Sequence, residues 1–287
     1  MNKPTFSIVV PTYNRAAYLV ELLQGLVKQT YKNFEVLICD DGSSDHTKEV
    51  VESFQHLIDL KYCYDTNWGG PAKPRNIGIR NAAADWVCFL DSDDLWLPNK
   101  LDEVFQVLSD DREVIYHLFS TNYQKQIIGR HQKSPFYNQF EDLLFNGNRI
   151  VNSSLVVKKS VLLKIDGFRE DKKLIGVEDY DLLLRMAREK ADFYFIDKVL
   201  GEYRLNDSNI SGDFPVQVLK INHLLTQYER AVPGVGKARV EALVNYLNGS
   251  YYLSSKDVPL GKKFLLKSLK KGSLPIKLKS FVKLLKF

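Results

Sequence analysis

The chain has 287 residues, and its 45% hydrophobic and 26% charged residues are ordinary for a folded protein with a full core. No apolar run reaches the roughly 18 to 20 residues that cross a bilayer, and the first residues lack the charged, apolar and cleavable regions of a leader. These features argue against a membrane-spanning or secreted protein and lead to the expectation of a cytoplasmic one. The net charge of +5 is unevenly distributed: residues 260–287 hold nine lysines and no acid, and without them 31 basic residues face 35 acidic ones. Cys39, Cys63 and Cys88 each sit singly within apolar runs, which reads as core rather than as disulfide or zinc ligation, and no CxxC or HExxH spacing occurs.

In chain order, "FSIVV" (6–10), "FEVLICD" (34–40), "LKYCYD" (60–65) and "WVCFLD" (86–91) are dense apolar runs of the kind found in strands buried on both faces. Between them lie amphipathic segments with helix-start signals: Asn14 before "RAAYLVELLQGLVK", Ser43 or Ser44 before "DHTKEVVESF", and Pro98 opening "PNKLDEVFQVL". Alternation of strand and helix predicts a mainly parallel sheet with helices on both faces, which binds ligands beyond the carboxyl ends of its strands. Residues 112–176 are irregular, with "NQFEDLLFNGN" reading as a short helix and "IVNSSLVVKKSVLLKIDGF" as a strand leading to another helix. Beyond residue 212 the pattern is helical, in "FPVQVLKINHLLTQYERA", "GKARVEALVNYLNGSYYLSS", "PLGKKFLLKSLKK" and the basic "LPIKLKSFVKLLKF".

Three polar stretches follow predicted strands: "PTYNR" (11–15), "DDGSSD" (40–45) and "DSDD" (91–94). In a parallel sheet all three face one crevice. Acids gathered there suit a metal ion and a nucleotide, although an acid at any one strand end also reads as a solvated loop. Glu178, Asp179 and Asp181 likewise read in isolation as first-turn acids matched to a helix dipole.

The order and spacing of these motifs are more specific than any one of them. "VVPTYNR" (9–15), "ICDDGSSD" (38–45), "PRNIGI" (74–79), "FLDSDD" (89–94), "DGF" (166–168) and "VEDYDLLLR" (177–185) together resemble the family-2 glycosyltransferases, inverting enzymes of the GT-A type. The resemblance spans roughly residues 5–212. It implies a GT-A domain over 1–212, with a nucleotide half at about 1–111 and an acceptor half at about 112–212, followed by a helical region at 213–287.

The resemblance further implies a nucleoside-diphosphate sugar as donor, most often a UDP-sugar. The donor would lie against Pro11, Tyr13, Asn14, Asp41, Arg75, Asp91 and Ser92, with Asp41 at the base imide, Tyr13 beside the base and Arg75 donating at the nucleotide. Asp93 would hold Mn²⁺ or Mg²⁺, and Asp91 the ribose or the water shell of the metal; hard ions of this kind prefer carboxylate oxygen. Asp94 could instead start the turn toward Pro98. Asp179, with Glu178 beside it, would be the general base for a glycan or lipid-linked acceptor in bacterial surface-polysaccharide synthesis. The rival readings are a nucleotidyltransferase, which would carry a glycine-rich loop where this chain has "PTYNR", and a catalytically silent nucleotide-sugar-binding or scaffold protein of the same fold. Asn152, Ser153 and Ser154 are open to two readings, as acceptor contacts or as structure.

Two positions depart from the family pattern: Asn206 stands in "YRLN" where many relatives carry histidine, and Arg169 follows "GF" where an acid is usual. "QYERA" (227–231) is similar to a signature of processive synthases, but Ala231 replaces its tryptophan, so one sugar per encounter is expected. If helical, the last segment gathers Leu278, Phe281, Val282 and Leu285 on one side and Lys279, Lys283 and Lys286 on the other, the pattern of an interfacial helix. This points to peripheral attachment on the inner face of the cell membrane through 260–287, with a helix packed on its own body or a dimer contact as the rival readings. A nucleic-acid partner is disfavoured by the acidic remainder of the chain.

Overall fold

Every residue of β1 (Phe6–Thr12) and β2 (Phe34–Asp40) is buried, as continuous apolar runs require of central parallel strands. The computed structural model describes residues 3–122, 125–129, 139–204, 214–228, 232 and 234–286. The chain divides into two units: Met1–Gln132, Arg149–Glu170 and Arg185–Asn206 make the first, and Lys133–Asn148, Asp171–Leu184 and Asp207–Phe287 the second.

The first unit holds the sheet, whose strand order is β3-β2-β1-β4-β8-β6-β9-β5, with β7 beside β6. β3 (Leu60–Tyr64), β2, β1 and β4 (Trp86–Phe89) are parallel to one another. Beyond β4 the sheet becomes mixed: β8 (Val156–Lys158) is antiparallel to both β4 and β6 (Val114–Thr121), and β9 (Phe193–Tyr203) is parallel to β6. The short β5 (Leu95–Trp96) and β7 (Ile127–Ile128) pair antiparallel with β9 and β6.

Helices α1 (Ala16–Val27), α2 (Thr47–Phe54), α3 (Ala72–Asn81), α4 (Lys100–Phe105) and α6 (Lys159–Lys164) connect these strands. α1 buries Leu19, Leu22, Leu23 and Leu26, a stripe at helical spacing that joins Phe6, Ile8, Val10, Val36 and Ile38 in the core. Each such leucine contributes on the order of 2 kcal/mol relative to exposure. α3 was not among the expected helices. Pro74 falls in its first turn, where a missing N–H leaves no bond unmade, so the helix forms in spite of it.

The second unit is helical: α5 (Gln139–Asn146), the N-terminal part of α7 (Glu178–Arg188), α8 (Phe214–Tyr228), α9 (Val235–Ser254), α10 (Val258–Lys271) and α11 (Leu274–Leu285). The four C-terminal helices fall where breakers and periodicity predict them. α9 and α10 approach closely through reciprocal glycines. A Cβ on Gly249 would lie 2.7 Å from Leu265 Cγ, and one on Gly261 2.7 Å from Leu253 Cγ. Asp257 caps α10 by accepting from the Leu260 N–H at 3.1 Å. Among the described residues no helix is long and apolar enough to cross a membrane.

Candidate active site

The parallel register decides which loops meet. Thr12 pairs with Asp40 and Val9 with Phe89, so the segments after β1, β2 and β4 leave the sheet at the same edge. This brings Tyr13, Asn14, Asp41, Ser92, Asp93 and Asp91 to that edge, just past the buried strand residue Pro11.

The first two loops are cross-linked. Asn14 adopts φ 50°, a left-handed conformation that asparagine tolerates. Its backbone N–H donates to Ser43 Oγ at 2.8 Å, and the Ser44 N–H donates to Asn14 Oδ1 at 2.8 Å. Asn14 therefore does not cap α1, contrary to the sequence expectation. The cap comes from Asp45, which accepts from the Ala16 N–H at 3.0 Å and also from the Thr47 N–H at 3.1 Å, serving α1 and α2 together. Tyr13 is exposed beside this junction.

Asp40 and Asp41 organise the second loop. Asp40 accepts from the Ser43 N–H at 2.8 Å and from the Tyr62 hydroxyl at 2.5 Å, and burial together with this carboxylate pushes the Tyr62 hydroxyl far above its usual pKa. Gly42 turns the chain at φ 86°, and a Cβ there would sit 2.8 Å from the Asn67 nitrogen. Asp41 accepts from three consecutive backbone donors, the N–H groups of Trp68 at 2.8 Å, Gly69 at 2.9 Å and Gly70 at 3.3 Å. A carboxylate has about four lone-pair sites, so roughly one remains for a ligand.

The "DSDD" loop separates its three carboxylates. Asp91 Oδ1 accepts from an Arg75 guanidinium nitrogen at 2.6 Å and from Asn152 Nδ2 at 3.1 Å, while Arg75 also lies over the Phe168 ring at 5.1 Å. Asp94 is buried and points inward: Ser153 Oγ donates to it at 2.5 Å and the Arg204 N–H at 3.3 Å. Burial, with the charge of Asp91 nearby, pushes the Asp94 carboxyl well above the usual carboxylate range. Asp93 is one-fifth exposed, with its carboxylate 4.0 Å from the Arg15 guanidinium. Ser92 is buried.

Residues 152–154 are the support of this loop. The 3₁₀ turn Asn152–Ser154 is buried. Ser153 Oγ accepts the Asp91 N–H at 3.0 Å, and Ser153 O accepts Trp96 Nε1 at 2.8 Å. Of the two sequence readings of "NSS", the structural one accounts for these bonds. A second clamp comes from Asn76 on α3: Asn76 Nδ2 donates to Phe168 O at 2.8 Å and to Glu170 at 2.9 Å, and the Phe168 N–H donates to Asn76 Oδ1 at 2.8 Å. The acid that engages this loop is thus Glu170, one residue past the exposed Arg169.

In the second unit, Glu178, Asp179 and Asp181 occupy the first turn of α7. Glu178 is buried and accepts the Gly176 N–H at 2.5 Å; Asp181 is buried and accepts from the Tyr228 hydroxyl at 3.0 Å. Asp179 is half-buried, with Oδ1 accepting the Tyr180 N–H at 2.7 Å. Asn206 and residues 229–231 lie outside the described residues.

Among the described residues no group of three or more His, Cys, Asp or Glu side chains is assembled to hold a metal ion on its own. Asp93 and Asp91 supply one or two carboxylates at the sheet edge. That set suits Mg²⁺ or Mn²⁺ drawing its other ligands from phosphate and water.

Residues 7–161 match the family described as Glycosyl transferase family 2, and the chain belongs to that family. An uncharacterized glycosyltransferase of Rickettsia conorii is 30% identical over 212 residues, which are 72% of this chain and 34% of the relative, so the chain spans about a third of that protein. The Escherichia coli UDP-Glc:α-D-GlcNAc-diphosphoundecaprenol β-1,3-glucosyltransferase WfgD is 28% identical over 261 residues, 90% of this chain and 98% of WfgD. The structure of Staphylococcus aureus TarS 1–349 in complex with UDP-GlcNAc aligns over 96% of this chain and 83% of that one, at 21% identity and a TM-score of 0.66. The mannosyltransferase PcManGT of Pyrobaculum calidifontis, in complex with GDP-Man and Mn²⁺, covers 100% of this chain and 82% of its own at 19% identity and a TM-score of 0.64. The fold is thus the GT-A fold, with helices appended at the C-terminus.

Proposed function

We propose that this chain transfers a single sugar, with inversion, from a UDP-sugar to a glycan or lipid-linked acceptor in bacterial surface-polysaccharide synthesis. The observation that carries this reading is the convergence of Asp41, Arg75, Asp91 and Asp93 at one sheet edge in a member of family 2. Support for the donor and acceptor classes comes from WfgD, which is described as using UDP-Glc and a diphosphoundecaprenol-linked acceptor.

In this reading Asp41 holds the Trp68–Gly70 loop and offers its remaining lone pair to the uracil imide, while the exposed Tyr13 ring flanks the base on the turn shaped by Pro11 and Asn14. Arg75 fixes Asp91 and donates at the nucleotide, and Asp91 with Ser92 faces the ribose. Asp93 would hold Mn²⁺ or Mg²⁺, with Asp91 at its water shell; PcManGT is described with Mn²⁺. The ion, when bound, neutralises charge that develops on the departing diphosphate. Asp179 takes the proton of the acceptor hydroxyl as it attacks the anomeric carbon, and Glu178 shapes the turn that presents it. One displacement inverts the centre and needs no covalent nucleophile. The protein works in the cytoplasm, peripheral on the inner face of the cell membrane.

The test is transfer and UDP release from a panel of UDP-sugars by wild type and Asp179→Asn. The variant is expected to bind donor as wild type does and to lose about 10²- to 10⁴-fold in transfer, the usual worth of a general base. Normal turnover by the variant would remove Asp179 from the mechanism.

A further inference from the structure

α11 buries only Ile276 and Ser280 and turns most of its large apolar side chains outward. Ser280 Oγ donates to Ser268 Oγ of α10 at 3.0 Å. Leu274, Leu278, Phe281, Val282 and Leu285 are instead 46% to 75% exposed. At 3.6 residues per turn these five fall within an arc of about 100°. Lys277 borders that arc on one side, and Lys279 and Lys286 border it on the other. Leu266 on α10 is also exposed, among the exposed Lys263, Lys267 and Lys270. An isolated exposed leucine needs no explanation, but a continuous stripe on an ordered helix does.

We propose that this outward face of α11 is a docking surface for an anionic lipid bilayer. The proposal rests on the peripheral location proposed above and deepens it by naming the face. The five apolar side chains enter the boundary between headgroups and acyl chains, and the bordering lysines reach up to the phosphates on either side. Charge selects this occupant over a second copy of the chain. A twofold contact would set the same lysine-bordered stripe against itself, and residues 260–287 hold no acid to pair with their nine lysines. Neutral lipid would gain only the apolar contacts, whereas anionic lipid adds about 1 kcal/mol per lysine near the surface.

The experiment is vesicle flotation of the full chain without nucleotide, using phosphatidylcholine alone and phosphatidylcholine mixed with phosphatidylglycerol. Wild type is expected to float with the mixed vesicles and to be released by high salt. Lys277→Gln/Lys279→Gln/Lys286→Gln should bind them about a hundred-fold less tightly, from three lysines at that worth. Leu278→Ser/Phe281→Ser should lose flotation even at low salt, and since both sites are exposed its circular dichroism and melting should match wild type. Undiminished flotation by the serine variant would overturn the proposal. So would a wild-type dimer that the serine variant converts to monomer while neither form binds vesicles. UDP binding is measured separately without lipid, so failure of the docking face is distinguishable from failure of the transferase reading.

Discussion

Lys100 carries a measurable consequence. It lies on α4 with no exposed surface, its Nζ 3.5 Å from the centre of the Trp96 ring and without a hydrogen-bond partner at bonding distance. Burial pushes its amine from 10.5 down to about 8, with the neighbouring Cys88 thiol acting the other way. His117, which shares this interior, is pushed by burial down to about 3 and so adds no charge near neutral pH. Below pH 8 the folded protein therefore keeps a buried ammonium, and the gap between the two values corresponds to about 3 kcal/mol of lost stability. Between pH 8 and 10.5 the unfolded chain holds more protons at this residue than the folded one, so this contribution to stability rises with pH. Lys100→Met keeps the apolar stem and removes the charge. It should be more stable than wild type by about 3 kcal/mol at pH 7, by about 2 kcal/mol at pH 9, and by nothing near pH 10.5. Urea denaturation of both proteins at the three pH values gives the difference, with titrating groups remote from Lys100 cancelling. A variant less stable than wild type at pH 7, or a gain independent of pH, would refute the reasoning.

Ser153→Ala removes the hydroxyl that joins the Asp91 N–H to the buried Asp94. It should cost about 1 to 3 kcal/mol in urea denaturation and weaken UDP binding about ten-fold as the acid loop loosens. Asn76→Ala leaves the Phe168 N–H and C=O without their partner and should cost about 2 to 4 kcal/mol, read by the same denaturation.

How much of this was legible in the sequence depended on whether the signal was local. β2 is a dense apolar run broken only by Glu35 before its closing Asp40 and lies where it was expected, and the C-terminal helices follow from periodicity and breakers because each is decided by its own residues. α3 carries Pro74 and Gly78, which argue against a helix unless the position of Pro74 in the first turn is known. β6 and β9 hold His117, Asp197 and Lys198 among their apolar residues, which blurred the pattern that marks buried strands. At the site, motif order gathered the polar loops after β1, β2 and β4 at one edge of the sheet, which the strand register also does. The resemblance set Asp93 and Asp91 ahead of Asp94, but the bonds from Ser153, Asn152 and Arg75 that hold Asp91 and Asp94 arrive from distant parts of the chain and left no local signal. Asn14 failed as a helix cap for the same reason: Asp45, thirty-one residues away, holds that position.

In the proposed reaction the acidic sheet edge binds a nucleoside diphosphate through a metal ion. Titration calorimetry with UDP, GDP and TDP, each with Mn²⁺ and with a chelator, tests it most directly. Binding selective for UDP and lost with chelator is expected. No binding of any nucleotide under either condition would contradict it, and would mean that Asp91 and Asp93 only finish a strand.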